Sequence, residues 1–114
     1  MSLRILLVED DDSLHRGIQF TLQQEGFEVI GARSLAEARS ALATHEVHLL
    51  LLDVQLPDGN GFDFCEQVRR ERDVPIIFLT ASDQEFDIVR GLDIGGDDYI
   101  TKPFRLRGVL SRIQ

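Results

Sequence analysis

Five short apolar runs punctuate the chain: Ile5 to Val8, Val29 to Ala32, Leu49 to Leu52, Ile76 to Leu79, and the pair Tyr99 and Ile100. Their length and polar borders read as β-strands. Between them the apolar period changes. Leu14, Ile18 and Leu22 recur at i, i+4 and i+8, and Leu35, Ala38 and Leu42 repeat at three and four, which predicts amphipathic helices. Ser34 followed by Glu37 forms a capping-box pattern at the start of the second helix, and Gly26 is a suitable stop for the first. Further helices are predicted over Phe62 to Arg72, over Gln84 to Leu92 and from Arg105 onward. Five β-then-α units in succession predict an α/β fold, a parallel sheet covered by helices on both faces. The uninterrupted run Leu49 to Leu52 marks a central strand buried on both sides.

In open sheets of this kind ligands bind beyond the carboxyl ends of the strands, where the strand order reverses. The residues that follow the strands are Glu9, Asp10 and Asp11 after the first, Asp53 after the third, Thr80 after the fourth and Lys102 after the fifth. Taken singly, each has an ordinary structural explanation, since acids cap helices, threonine suits strands and lysine is commonly solvated. Their joint appearance at one sheet edge is what those explanations do not predict. Several carboxylates held together repel one another unless protons or a cation intervene. An oxygen-only donor set without histidine or cysteine favours a hard ion, and Mg²⁺ is the expected one. Thr80 supplies a hydroxyl and Lys102 a mobile point charge, both suited to phosphoryl oxygens. A carboxylate can itself be the nucleophile and form an aspartyl-phosphate, a role that suits Asp53, alone after the central strand.

Composition narrows the picture. A chain of 114 residues buries one hydrophobic core, so residues 1–114 are expected to form one domain. Twelve basic against twenty acidic side chains give a net charge of −8, which repels a nucleic-acid backbone and excludes DNA binding by bulk charge. The single cysteine, Cys65, reads as a small buried hydrophobe in a reducing compartment, the cytoplasm. The N-terminal residues lack a signal-peptide pattern, and no apolar run reaches membrane-spanning length. The last residues carry helical periodicity without a glycine or proline stop, so a longer parent chain with a further domain is expected.

Four ordered motifs bring the resemblance into view: Leu-Leu-Val-Glu-Asp-Asp at 6 to 11, Leu-Leu-Leu-Asp-Val-Gln-Leu-Pro-Asp-Gly-Asn-Gly at 50 to 61, Ile-Ile-Phe-Leu-Thr-Ala at 76 to 81 and Gly-Asp-Asp-Tyr-Ile-Thr-Lys-Pro-Phe at 96 to 104. Over essentially its whole length the sequence resembles the receiver domains of two-component response regulators. The resemblance implies a doubly wound (βα)5, flavodoxin-like sandwich with strand order 2-1-3-4-5. It implies that Asp53 takes a phosphoryl group from a phosphohistidine on a sensor histidine kinase. Asp10, Asp53 and the Gln55 backbone carbonyl would bind Mg²⁺ directly, Glu9 through water, and Asp11 would lie outside the ion's first shell. Thr80 and Lys102 would be phosphoryl ligands, with a cis peptide between Lys102 and Pro103. Thr80 and Tyr99 would turn inward on phosphorylation and reshape an output face of the fourth helix, fifth strand and fifth helix.

The run from Asp97 to Phe104 looks like the OmpR/PhoB-type subgroup, transcription factors whose DNA-binding domain follows the receiver. That likeness implies a homodimer through the same face, with Arg90, Asp97, Asp98 and Arg112 at its charged positions, and DNA contact only through the further domain. Ile88 and Gly108 depart from the subgroup, standing where a basic and an acidic partner are usual. Losing both leaves no orphan charge. Gly108 also lowers the helix stability by roughly 1 kcal/mol against alanine.

The remaining residues read as structural. His15, His45 and His48 have no metal-ligand spacing and are expected at the surface or an edge, and Gly59 and Gly61 are expected to serve turn geometry. Three rivals compete. A haloacid-dehalogenase-like phosphatase needs a second aspartate two positions after the first, where Gln55 stands and cannot act as general acid. A flavodoxin-like FMN carrier needs a phosphate-cradling first loop, where Glu9, Asp10, Asp11 and Asp12 would repel a phosphate. A phosphorylation-independent pseudo-receiver, a pure interaction module, would lack a site residue, and none is lacking.

Overall fold

In the computed structural model, described here for residues 3–80 and 98–101, with the backbone path alone for Thr80 and 98–101, each apolar run becomes a strand. The first elements are β1 (Arg4–Val8), α1 (Asp12–Gln24), β2 (Glu28–Ala32), α2 (Leu35–Thr44) and β3 (Leu49–Asp53). A two-residue pair, β4 (Gln55–Leu56) and β5 (Gly59–Asn60), follows and leads into α3 (Gly61–Glu71), then β6 (Ile76–Thr80) and β7 (Asp98–Thr101). The helices expected over Gln84 to Leu92 and from Arg105 lie outside the described residues.

The main sheet has the order β2-β1-β3-β6-β7 with every pairing parallel. Counting only its five strands, this is the order 2-1-3-4-5, with the reversal between β1 and β3. The strands are longer than their apolar runs by one or two residues. Asp53 is thereby the last residue of β3, opposite Leu79, because the ladder is made by backbone groups that a polar side chain does not interrupt.

Helices cover both faces. Ile18 and Leu22 of α1 pack with Ile5, Leu7, Leu51, Ile77 and Leu79 on one side. On the other, α2 and α3 bring Leu35, Ala38, Leu42, Phe64, Cys65 and Val68 against Leu6, Val8, Leu50, Leu52 and Phe78. Alternate residues of β1 and β3 thus enter two separate cores, and apolar side chains on both faces are the reason these strands read as continuous hydrophobic runs.

The helix ends follow the sequence signals. Asp11 caps α1 by accepting from the Leu14 amide at 2.9 Å. Gly26 closes it with φ of 92°, a left-handed conformation that glycine adopts without a Cβ penalty. The Phe27 amide donates to the Leu22 carbonyl at 3.1 Å and the Gly26 amide to the Gln23 carbonyl at 3.0 Å, which makes a Schellman motif. Ser34 caps α2 by accepting from the Glu37 amide at 3.2 Å, as the capping-box pattern predicts.

Leu51 is fully buried in the middle of the central strand. Leu51→Ala is expected to destabilise the fold by about 2–5 kcal/mol, read as a lower urea midpoint at an unchanged slope.

Candidate functional site

The parallel pairing of β1 with β3 sets Val8 opposite Leu52, so the residues that follow emerge side by side at the carboxyl edge. There one carboxylate oxygen each from Glu9, Asp10 and Asp53 lies within 4.8 Å of the others. Glu9 is fully buried and Asp53 is 4% exposed, while Asp10 is open to solvent. Two ionised carboxylates at that separation repel by roughly 3–4 kcal/mol at an effective dielectric of about 20. A divalent cation removes the repulsion. The donors are all oxygens and the open side at Asp10 admits water, so the cluster fits Mg²⁺ and suits softer metals poorly.

Glu9 is held from three directions. Its amide donates to the Ala32 carbonyl at 3.0 Å, its Oε2 accepts from the Asp11 amide at 3.1 Å, and its carbonyl accepts from His15 Nδ1 at 2.8 Å. The Asp11 carboxylate is turned to the helix cap and away from the cluster's set of donors. Asp12 pairs with Arg33 at the end of β2. The four acids of this turn therefore do different things. Two join the cluster, one caps a helix and one makes a surface ion pair.

Beyond Asp53 the chain makes a tight excursion. Gln55 pairs with Asn60 across the β4–β5 hairpin and lines the same open cleft as Glu9, Asp10, Asp11 and Asp53. Gly59 takes φ of 155°, in keeping with a turn. Gly61 has a different purpose from the expected turn. Its amide donates to the Val54 carbonyl at 2.7 Å, and a Cβ on it would stand 2.3 Å from the Asp53 carbonyl oxygen. Only a residue without a side chain lets α3 start this close to Asp53. Asn60 then caps α3 by accepting from the Phe62 amide at 2.7 Å.

Asp58 was not singled out by its sequence. One of its carboxylate oxygens accepts from the Leu35 amide at 2.8 Å and the other from the Ala36 amide at 3.0 Å, so a loop after β3 caps the start of α2. A contact spanning more than twenty residues has no local signature. The two amides, Leu35 first, hold the Asp58 carboxyl below the usual carboxylate range.

His15 corrects an expectation. It is 2% exposed, not a surface residue, because it lies on the same helix face as Ile18 and Leu22 and its ring nitrogen finds a partner in the Glu9 carbonyl. His45 and His48 are exposed, and His48, just before β3, lies beside the start of β1, where its Nδ1 accepts from the Arg4 amide at 2.9 Å. Cys65 is fully buried. Lys102, Pro103, Arg90, Asp97, Arg112, Ile88 and Gly108 lie outside the described residues, as do the side chains of Thr80, Asp98 and Tyr99. The backbone register nevertheless sets Thr80 opposite Thr101 and Phe78 opposite Tyr99. Among the described residues, no helix is long and apolar enough to cross a membrane.

Comparison with known proteins agrees with this architecture. A family model described as the response regulator receiver domain matches residues 5–114. The chain is 42% identical over its full length to the alkaline phosphatase synthesis transcriptional regulatory protein PhoP of Bacillus subtilis (strain 168), and spans 48% of that relative. Among solved structures it is similar to the non-phosphorylated HemR receiver domain from Leptospira biflexa, with a TM-score of 0.91 and 40% identity over 98% of this chain and 91% of that one. It is similar also to the response regulator DrrB, a Thermotoga maritima OmpR/PhoB homologue, with a TM-score of 0.88 and 30% identity over 99% of this chain and 51% of that one.

A lowered folded-state pKa means that Asp58 contributes its full stabilisation above the ordinary carboxylate range and loses it as pH falls through that range towards the lowered value. Asp58→Ala is therefore expected to lower the thermal midpoint at neutral pH. The gap from the parent protein should narrow as the pH drops below about 4, which melts followed by circular dichroism at several pH values will show.

Proposed function

The chain belongs to the response regulator receiver family, and on that premise we propose that Asp53 accepts a phosphoryl group from a histidine kinase and that the resulting charge switches a downstream output. The observation that carries this reading is the convergence of the Glu9, Asp10 and Asp53 carboxylates within 4.8 Å at the sheet's carboxyl edge. In the transfer, an Asp53 carboxylate oxygen forms the new bond to phosphorus as the bond from phosphorus to the donor imidazole nitrogen breaks. The imidazole leaves with that electron pair and takes up a proton. Mg²⁺, held by Asp10, Asp53 and the Gln55 backbone carbonyl and reached by Glu9 through water, would supply neutralisation of the charge on the phosphoryl oxygens.

The chain's own residues do the rest. Glu9 and Asp53 are buried on the core side, which leaves the approach through the open cleft at Asp10 and Gln55. In this reading Thr80 and Lys102 would ligate the phosphoryl oxygens, and Tyr99 would follow Thr80 inward. Thr80 stands beside Asp53 in the sheet order, since β6 is the neighbour of β3, and this supports the pairing of the two roles. The protein acts as a signalling phosphoacceptor in the cytoplasm, with self-phosphorylation from donors and hydrolysis of its own aspartyl-phosphate as its only reactions.

The output is transcriptional. That step rests on the likeness to the transcriptional regulatory protein PhoP, of which this chain spans about half, and to an OmpR/PhoB homologue. DNA would be contacted by a further domain, because the net charge of −8 disfavours contact by this one. Homodimerisation through the fourth helix, fifth strand and fifth helix, with Arg90, Asp97, Asp98 and Arg112 at the interface, would be weakened by Ile88 and Gly108.

Incubation with acetyl phosphate or phosphoramidate is expected to give one phosphoryl adduct by intact mass, dependent on Mg²⁺ and absent in Asp53→Asn. No adduct in a folded protein, or donor hydrolysis without accumulation, contradicts the reading. Gln55 lines the cleft beside Asp53, and from there its side chain would meet water approaching an acyl phosphate. Gln55→Ala is expected to change the autodephosphorylation rate, measured as decay of the adduct, and an unchanged rate removes that role.

A further inference from the structure

Three polar residues are buried among the described residues: Glu9, Asp53 and His15. The first two belong to the carboxylate cluster, and His15 has so far only a partner. Its backbone sits near the start of α1, where its amide donates to the Asp11 carbonyl at 2.8 Å. Its ring turns back towards the strand end, and Nδ1 lies 2.8 Å from the Glu9 carbonyl oxygen. A carbonyl oxygen only accepts, so Nδ1 carries a proton and donates.

The Glu9 carbonyl belongs to the planar peptide unit that joins Glu9 to Asp10. On the near side of Glu9, β2 fixes the chain through the bond from the Glu9 amide to the Ala32 carbonyl at 3.0 Å. On the far side, the His15 bond fixes the tilt of the peptide plane that leads into Asp10. The Glu9 side chain is tied in turn to the Asp11 amide at 3.1 Å. The backbone path between the two acids of the cluster is thus set by the Ala32 and His15 bonds, neither of which uses a carboxylate of the cluster.

A second position is matched to the ring. A Cβ at Gly31, in β2, would stand 2.6 Å from His15 Nε2 and 3.1 Å from its Cε1, with the obstructing atoms those of a buried ring that has little freedom to withdraw. Glycine inside a strand otherwise weakens it, and close approach by another group is a recognised reason for one. Gly31 makes the room that lets His15 reach Glu9.

We propose that His15 is a positioning residue for the divalent-cation site, holding the Glu9–Asp10 peptide so that both carboxylates converge with Asp53, and that Gly31 is the space it requires. This rests on reading the carboxylate cluster as a Mg²⁺ site. Groups that orient metal ligands from outside the coordination sphere typically change affinity by about 10–100-fold when removed.

The test is Mg²⁺ binding by calorimetry on the full chain, with melting followed in Mg²⁺-free buffer. His15→Leu keeps much of the volume and loses the donor. His15→Asn places a side-chain N–H near the position of Nδ1. Gly31→Ala pushes the ring off its place. His15→Leu and Gly31→Ala are expected to weaken Mg²⁺ binding about tenfold, and His15→Asn to recover most of the loss. A merely structural role would make affinity track the melting temperature across all three, whereas positioning makes it track whether a donor still reaches the Glu9 carbonyl. Binding by His15→Leu and Gly31→Ala as tight as that of the parent overturns the proposal alone, as does a His15→Asn protein no better than His15→Leu. A parent chain that binds no Mg²⁺ overturns the metal reading and the proposal with it.

Discussion

The register of β1 against β3 is the constraint on which everything else rests. Both strands are apolar on both faces, with Val8 opposite Leu52, and a carboxylate stands at the end of each, Glu9 just after β1 and Asp53 as the last residue of β3. Slipping either by one residue would turn each core side chain to the opposite face and draw Glu9 or Asp53 towards an apolar layer without its partners. The two hydrophobic cores therefore lock the register, and the locked register delivers two charged residues to one spot. Stability and site geometry follow from a single pairing.

That arrangement carries a cost in charge. Three carboxylates within 4.8 Å, two of them buried, oppose one another, and the fold tolerates them by fixing each through the backbone. Glu9 is held by Ala32, Asp11 and His15, while the chain around Asp53 is fixed by the closely approaching Gly61. Asp58 ties the loop beyond Asp53 to the start of α2, so that the excursion bearing Gln55 is anchored at both ends. Preorganisation of this kind would leave a divalent cation to supply charge balance instead of structure.

Much of this was legible in the sequence because it is written locally. The five apolar runs, the helical spacing of Leu14, Ile18 and Leu22, the Ser34 capping box and the Gly26 stop all depend on neighbours within a few residues. The acids at strand ends were legible for the same reason. The strand order came from the family resemblance, since spacing alone does not order strands. His15 was misread because its residue type suggested surface, although its spacing of three and seven from Ile18 and Leu22 placed it on the buried face. The Asp58 cap and the His15–Gly31 contact join residues far apart in sequence, and the brief β4–β5 pairing is too short to leave a periodic pattern.

The most direct test of the central claim, that this edge is a preorganised site for a cation and a phosphoryl group on Asp53, is an amide NMR titration with beryllofluoride in the presence of Mg²⁺. Beryllofluoride mimics a phosphoryl group on a carboxylate without requiring transfer. The account predicts saturable shifts centred on Glu9, Asp10, Asp53 and Gln55, extending to Thr80, that need both components together. Shifts that are absent, or that fall on residues away from this edge, would contradict it.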